Sequence, residues 1–442
     1  MQASFPTLSV SERATAPLSR TLFFWLSSVA FIGLATPIAA NWMRGMVGFF
    51  PLVGLAILMG MSEGSFNRVL RSISRGFSDN KWLVLFSVWY LVGLYLNLFF
   101  RGSGLDDWRL ALGPAVFLIA MCFAFGFMRH EDCYRLFLVG FVLAAGVQAV
   151  FSARELSSQV GIAREMWTEL GGAWVFGDQG VYASWVILLP LLFWGAFRER
   201  GILRVVLLVA SLLIGIAASI SSFATPFVLM GLGGAVVGIL VVLLPVKGQS
   251  RVVSVIIAGL LLVAGLVVYQ VSYANPLFDP VYSRIENVLL DPASGGYSGA
   301  ALAVSRMSLA EISFNSFVEE PLWGEGGGSI RYSQFVGGHS SFLDALGAYG
   351  LFGGGGALAG MMLVMLATAV IRFWNERNWE TLLALTSVVV LGVAGVVNPY
   401  WEGWQPTLVL IMARPFLPIV KNQANDLIVG KTFSQLSRPN SS

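Results

Sequence analysis

Apolar residues recur along this chain in long runs that shorter polar segments separate. A helix needs about 20 apolar residues to cross the hydrocarbon core of a bilayer. Runs near that length predict an all-α, polytopic membrane protein, with residues 1–442 forming one integral membrane domain of about twelve transmembrane helices. The twelve predicted spans are Thr21–Ala40, Met46–Met61, Trp82–Phe100, Ala111–Met128, Leu136–Phe151, Val181–Phe197, Val205–Ile220, Phe227–Leu244, Val252–Val271, Ser341–Ile371, Thr381–Val397 and Pro406–Val420.

The connection between spans nine and ten, residues 272–340, is the place where this chain has the length to build outside the bilayer. Its segment "AALAVSRMSLAEISFNSFVEEP" predicts a helix that Pro321 ends. The apolar residues that recur there at three-to-four spacing are Met307, Ala310, Phe314 and Phe317. Residues 421–442 are polar and are expected to form a cytoplasmic tail.

Composition and charge agree with this membrane topology. Apolar residues make up 56% of the chain and charged residues 12%, about half the charged fraction of soluble domains. With the N-terminus inside, eighteen lysines and arginines fall in the inner segments and eight in the outer ones. Because inner loops carry the excess of basic residues, both termini are predicted to be cytoplasmic. The net charge of +3 gives no reason to expect a nucleic acid partner.

His339, one of two histidines, directly precedes span ten on the outer side. The sequence from Ser341 to Asp344 is typical of a capping box, so a helix is expected to begin there. The positive end of a helix dipole disfavours an imidazolium. A neutral imidazole is what a general base requires, which makes His339 a candidate catalytic base. The alternative is that His339 only caps a helix or lies among lipid headgroups.

Three outer arginines, Arg306, Arg331 and Arg284, share the long loop with His339. A guanidinium donates two parallel hydrogen bonds to a phosphate, so these residues are candidate diphosphate contacts. Their alternative role is contact with lipid headgroups. Asp344 either orients the imidazole or caps the helix, and capping is favoured.

The remaining motifs point away from metal, nucleotide or ion-coupled chemistry. The chain has no HExxH or CxxC motif and no paired aspartate motif with metal-binding spacing, so no metal site and no cofactor is predicted. The segment "PLWGEGGGS" lacks the Gly-Lys-Ser/Thr ending of a phosphate-binding loop and is interpreted as a flexible turn. The spans contain almost no ionisable residues, whereas ion-coupled transporters usually place some at mid-depth.

The stretch "PLWGEGGGS…GGHSSFLDALGAYGLFGG" resembles the signature of the O-antigen ligase and Wzy-type polysaccharide polymerase superfamily. In that signature a Pro-Leu-x-Gly-x-Gly turn leads to a His-Asn/Ser-x-Phe/Tyr-Leu stretch and a glycine-rich approach to a membrane helix. "FGDQGVYASWVILLPLLF" is similar to another conserved segment of the family. The likeness covers residues 174–360 and is sharpest between Arg306 and Gly354.

The resemblance implies a GT-C-like fold in the bacterial inner membrane and a metal-independent glycosyl transfer on the periplasmic face. The donor would be a saccharide on undecaprenyl diphosphate, and the acceptor a second saccharide or lipid A-core. His339 would be the base, Arg306, Arg331 and Arg284 would contact the diphosphate, and Asp344 and Ser340 could orient the reacting groups. Other polysaccharide-assembly membrane proteins would be possible partners.

Two departures from the family pattern bear on the substrate. Ser340 follows the histidine where asparagine is common, and the turn "SISSFATP" has no arginine where many members carry one. The missing arginine favours a polymerase over the ligase alternative. A transporter or flippase of lipid-linked saccharides is a further alternative, which the one-sided arginines and the nonpolar spans disfavour.

Overall fold

The computed structural model describes residues 18–36, 48–61, 66–100, 112–128, 130–158, 179–221, 224–275, 279, 282, 299–325, 336–337, 340–398 and 405–414. These ranges are helical, with connecting turns and no strand. The α-helices, numbered along the chain, are α1 Leu18–Leu34, α2 Phe49–Met61, α3 Phe66–Asp79, α4 Lys81–Phe100, α5 Leu112–Phe123, α6 Glu131–Ser158, α7 Gln179–Arg198, α8 Gly201–Ile220, α9 Ala224–Leu243, α10 Arg251–Tyr273, α11 Gly299–Glu319, α12 Ser341–Tyr349, α13 Gly356–Glu376, α14 Trp379–Val397 and α15 Gln405–Ala413.

Within the described ranges, eight helices are long and apolar enough to cross a membrane. They are α4, α6, α7, α8, α9, α10, α13 with the π-helical turn before it, and α14. The protein is therefore an all-α, multi-pass membrane protein. The predicted spans Thr21–Ala40, Met46–Met61, Ala111–Met128 and Pro406–Val420 correspond to the shorter helices α1, α2, α5 and α15.

The helices differ in how deeply they are buried. In α7 and α14, 78% and 72% of the membrane-length segment is buried inside the protein, and all nine residues of α15 are buried between them and α5. In α10 only 6% is buried. A helix that exposes leucine, valine and isoleucine on nearly every side is suited to contact with lipid. The centre of the bundle is thus α7, α14 and α15, with α10 at its edge.

Charged residues meet at one end of the bundle. Glu131 at the start of α6 pairs with Arg198 at the end of α7, with Oε1 and Nη2 2.5 Å apart. Arg414, which the sequence places inside the twelfth span, comes directly after Ala413 at the end of α15. Its Nη1 lies 3.1 Å from Glu131 and 3.2 Å from Glu380 at the start of α14. We call this the charged end.

Polar uncharged residues meet at the opposite end. The Ser341 hydroxyl at the start of α12 donates to the Asn398 carbonyl after α14, at 3.1 Å. The Asn398 amide contacts the Thr225 hydroxyl at the start of α9, at 3.3 Å. We call this the polar end. Consecutive long helices therefore run alternately between the two ends, as the predicted topology requires, and the basic-residue bias predicts that the charged end is cytoplasmic.

This arrangement predicts which cysteine a membrane-impermeant thiol reagent reaches in intact cells. In a Cys122→Ser/Cys133→Ser background, Glu320→Cys just beyond α11 is expected to react from outside. Ser78→Cys, exposed in α3 where the chain turns into α4, is expected to react only after the cells are opened. Both positions are exposed, so burial does not separate them. Labelling of Ser78→Cys in intact cells would show that the topology is the reverse of the predicted one.

Candidate functional site

The helix expected at the start of span ten begins at Ser341, where the sequence predicts, but its N-cap residue lies one position earlier than the predicted capping box. The N-cap is Ser340, whose hydroxyl accepts a hydrogen bond from the Leu343 main-chain N–H at 3.4 Å, and Ser341 is the first helical residue. The Asp344 carboxylate accepts from the Ser340 main-chain N–H at 2.7 Å. Asp344 thus caps the helix, and its reach back to the N-cap residue replaces the predicted box that began at Ser341.

The same carboxylate joins three segments of the polar end. Its second oxygen accepts from the Ser313 hydroxyl of α11 at 2.5 Å, and that hydroxyl also accepts from the Gly337 main-chain N–H at 2.9 Å. Asp344 is 1% exposed and Ser313 is fully buried. We call Asp344, Ser313, Gly337 and Ser340 the Asp344 clamp. It fixes the main chain on both sides of residues 338 and 339.

Removing the central hydroxyl of the clamp tests its contribution to stability. Ser313→Ala deletes the donor of the Asp344 bond and the acceptor of the Gly337 bond. We expect the free energy of unfolding to fall by about 1 to 3 kcal/mol, which a lower apparent melting temperature in detergent would report. Ser387→Ala is the matched control, since Ser387 is equally buried in α14 and its hydroxyl has no hydrogen-bond partner among the described residues. Equal melting temperatures for the two variants would show that the clamp contributes nothing.

Helix α11 contains both a predicted site residue, Arg306, and a residue of the clamp, Ser313. It spans Gly299–Glu319, so the predicted helix and its end before Pro321 are confirmed. Arg306 lies in it seven residues before Ser313, nearly two turns and about 10 Å along the axis, and so on the same side of the helix. Phe314 of the predicted apolar stripe is 54% exposed, whereas Ser313 and Ser316 are buried. Among the described side chains of α11, residues 309–319, the buried ones are these two serines.

The two halves of the sequence signature are in direct contact. The Leu351 and Phe352 main-chain N–H groups donate to the Pro321 and Leu322 carbonyls at 2.9 and 2.8 Å. The turn that begins at Pro321 therefore pairs with the chain that leaves α12.

Two glycines make this contact close. Gly324 has φ +70°, and a Cβ there would lie 2.4 Å from the main chain of Ala348 and Tyr349. Gly350 has φ +63°, and a Cβ there would lie 2.4 Å from the Gly324 nitrogen. Only glycine takes such a left-handed conformation readily while leaving no side chain at the contact. The described part of this segment, residues 321–325, is a turn, as the sequence predicts, and it packs closely against the chain that leaves α12.

Predicted span ten, Ser341–Ile371, is not one continuous helix. α12 ends at Tyr349, a π-helical turn covers Leu351–Gly355, and α13 begins at Gly356. Helix α4 supports this break through Asn97, whose amide donates to the Trp323 carbonyl at 2.7 Å, and Trp89, whose indole N–H donates to the Phe352 carbonyl at 3.1 Å. Asp344 therefore lies in a short helix at the polar end, outside the membrane-length segment Leu351–Glu376.

The acidic residues near this turn repel one another. Burial raises the pKa of Glu325, and a hydrogen bond with Glu319 and the negative charges of Glu319 and Glu320 raise it further. Three carboxylates, Glu319, Glu320 and Glu325, therefore lie together at this corner, which their negative charge makes unfavourable for an anionic ligand.

The structure describes some of the predicted site residues and not others. Ser340 and Asp344 belong to the clamp, and the main chain of Arg306 lies in α11. His339, Arg331 and Arg284 lie outside the described residues. The sequence does not predict Ser313 or Asn97 as site residues. Asn97 has a sequence signal, because it is a polar residue within the apolar helix α4, whereas Ser313 is one of several polar residues in α11.

Comparison with known proteins adds no family assignment: no family model matches this chain, and no curated protein matches it.

Proposed function

We propose that this protein is a membrane glycosyltransferase that takes a saccharide from undecaprenyl diphosphate at the polar end of the bundle. The Asp344 clamp is the observation that carries the proposal, because it ties Gly337 and Ser340, the described residues on either side of 338–339, to the helix that bears Arg306. A preorganised site of this kind suits chemistry that depends on the position of a base and a cation. The clamp also lies at the opposite end from the ion pairs of Glu131, Arg198 and Arg414.

His339 would act as the general base. It directly precedes Ser340, the N-cap of α12, and the positive end of that helix favours a neutral imidazole. In the reaction, the acceptor hydroxyl gives its proton to the imidazole while its oxygen bonds to the anomeric carbon of the donor. The bond between that carbon and the diphosphate oxygen breaks, and the diphosphate leaves with the electron pair.

Arginines would stabilise the leaving diphosphate, Arg306 first, then Arg331 and Arg284. The distribution of charge along α11 supports an anion site near Arg306. Arg306 lies in the first half of the helix. Glu311 follows about 8 Å along the axis, Glu319 ends the helix about 20 Å from Arg306, and Glu320 and Glu325 come after it. An anionic donor would therefore dock toward the Arg306 half and away from the acidic corner.

The finer architecture belongs to the same proposal. We infer twelve spans with a GT-C-like arrangement, both termini in the cytoplasm and the site on the periplasmic face of a bacterial inner membrane. The eight membrane-length helices and the alternating ends of the bundle support this topology.

Polymerisation of lipid-linked repeat units is the favoured reaction, and transfer of finished polymer to lipid A-core is the alternative. The observation that favours a polymerase is the "SISSFATP" turn, where Thr225 contacts Asn398 in place of a charged group. This turn contains no arginine, and that absence distinguishes it from the ligase pattern.

A deletion strain tests the proposal through the mass of its accumulated lipid-linked saccharides. Loss of a polymerase is expected to leave lipid A-core capped by a single repeat. Loss of a ligase would leave bare core and polymer stranded on its carrier. Accumulation of unextended carrier-linked repeats on the cytoplasmic side only would instead indicate a flippase, and an unchanged saccharide profile would refute all three functions.

A further inference from the structure

A cavity of about 610 Å³ opens at the charged end, where α6 begins, α7 ends and α8 begins. Four arginines and two glutamates line it: Arg135, Arg198, Arg200, Arg204, Glu131 and Glu199. At full ionisation four positive charges face two negative ones, an excess of two positive charges. The cavity lies at the end of the bundle opposite the Asp344 clamp, so it is separate from the proposed catalytic site.

Glu199 organises two of these arginines. Its carboxylate, 6% exposed, pairs with Arg135 through both guanidinium nitrogens that face it, with Nη2 and Oε2 2.5 Å apart. Its main-chain carbonyl accepts from Arg204 Nε at 2.6 Å. Glu199 thus holds Arg135 through its carboxylate and Arg204 through its main-chain carbonyl, while Arg198 and Arg200 are exposed. Converging guanidinium groups are suited to bind a phosphate.

Below the charged mouth the cavity is apolar. Its wall follows α6 as far as Val142, about 16 Å along the axis from Glu131, and α8 as far as Leu207. Gly195 and Ala196 of α7 also line it, and the Leu138 side chain of α6 packs directly against Gly195. A soluble anion would use only the mouth, whereas a molecule with a phosphate and hydrocarbon chains would fill both parts.

The surroundings of the mouth face lipid. Beside it, Ile202, Val205 and Val209 of α8 are 83%, 58% and 50% exposed, and Leu136 of α6 is 46% exposed. Apolar side chains exposed on this scale at the surface of a membrane helix contact acyl chains. These exposed apolar side chains leave a route for acyl chains from the bilayer to the cavity.

We propose that this cavity binds an anionic phospholipid from the leaflet that faces the charged end. The phosphodiester accepts hydrogen bonds from the arginines at the mouth, and the acyl chains cover the apolar walls of α6 and α8. Basic pockets between transmembrane helices recognise anionic headgroups in this way. The bound lipid stabilises the junction of α6, α7 and α8, and this inference does not depend on the proposed glycosyl transfer.

Delipidated protein in a neutral detergent tests the site. Phosphatidylglycerol is expected to raise the apparent melting temperature, whereas phosphatidylcholine and inorganic phosphate are not. Arg200→Gln/Arg204→Gln removes two cationic hydrogen-bond donors and is expected to weaken phosphatidylglycerol binding about tenfold or more. Arg251→Gln, an exposed arginine at the same end that does not line the cavity, is the matched control and is expected to bind like the unaltered protein.

A second variant separates lipid binding from folding. Leu203→Trp fills the apolar part of the cavity and keeps every arginine, so it is expected to lose the response to phosphatidylglycerol. Equal stabilisation by phosphatidylcholine would overturn the assigned headgroup. A full response to inorganic phosphate alone would overturn the assigned lipid, and an unchanged response in both the double arginine variant and Leu203→Trp would overturn the site.

Discussion

His339→Ala is expected to leave a folded protein that transfers saccharide about 10² to 10⁴ times more slowly, the usual contribution of a general base. In the sequence, residue 339 lies between Gly337 and Ser340, whose main-chain N–H groups the Asp344 clamp binds. None of the hydrogen bonds described for the clamp involves residue 339. The substitution should therefore remove the base without removing the clamp. The measurement is the initial rate with a lipid-linked oligosaccharide, together with the apparent melting temperature.

His130→Ala is the matched control, because His130 is the only other histidine and lies at the opposite end, directly before α6. It should transfer at the rate of the unaltered protein. Unchanged turnover in His339→Ala would end the assignment of His339 as the base and leave it as a structural residue at the polar end.

Arg306→Ala is the second large effect we expect. A hydrogen bond to a charged group contributes about 1.5 to 3 kcal/mol, so loss of the arginine should reduce kcat/KM for the donor roughly ten- to a hundredfold. The effect on the acceptor should be much smaller, because the positive charge acts on the diphosphate. Arg306→Lys restores the charge but not the paired donors, so it should recover only part of the activity.

Arg377→Ala is a suitable control, since Arg377 is half-buried after α13 at the charged end and lies over the Trp374 ring. If Arg306 only touches lipid headgroups, both Arg306 variants should behave like this control. Equal losses for donor and acceptor would argue for a structural role of Arg306 instead.

The long apolar helices could be predicted from the sequence because each of them nearly fills the bilayer by itself. The helix over Gly299–Glu319 could also be predicted, since its spacing and Pro321 are local signals. Helix α3 is not predicted by apolar run length, because its segment "FNRVLRSISRGFSD" is too polar to span a bilayer.

The break in span ten depends on contacts distant in sequence. Gly350 turns the chain because the turn at Gly324 packs against it and α4 supplies Asn97 and Trp89 from about 250 residues earlier. A hydropathy window responds only to composition, so it joins α12 and α13 into one overlong span. The link between Ser313 and Asp344 is likewise a tertiary contact with no local signature.

The N-cap of α12 lies one residue before the predicted capping box, and the reason is local. Ser340 and Ser341 are adjacent, and either could precede Asp344 in a capping pattern. The tertiary structure decides between them, because Ser341 is drawn to the Asn398 carbonyl at 3.1 Å and Ser340 is left as the N-cap.

The central claim is cleavage between the anomeric carbon and the diphosphate, and isotope labelling tests it most directly. The purified protein receives an undecaprenyl-diphosphate saccharide with heavy oxygen in the bond between the sugar and the diphosphate, together with an acceptor. The account predicts that mass spectrometry finds the label in released undecaprenyl diphosphate and an unlabelled, lengthened saccharide. Three results would contradict it: release of undecaprenyl monophosphate, label retained in the lengthened saccharide, or a donor left intact beside a competent acceptor.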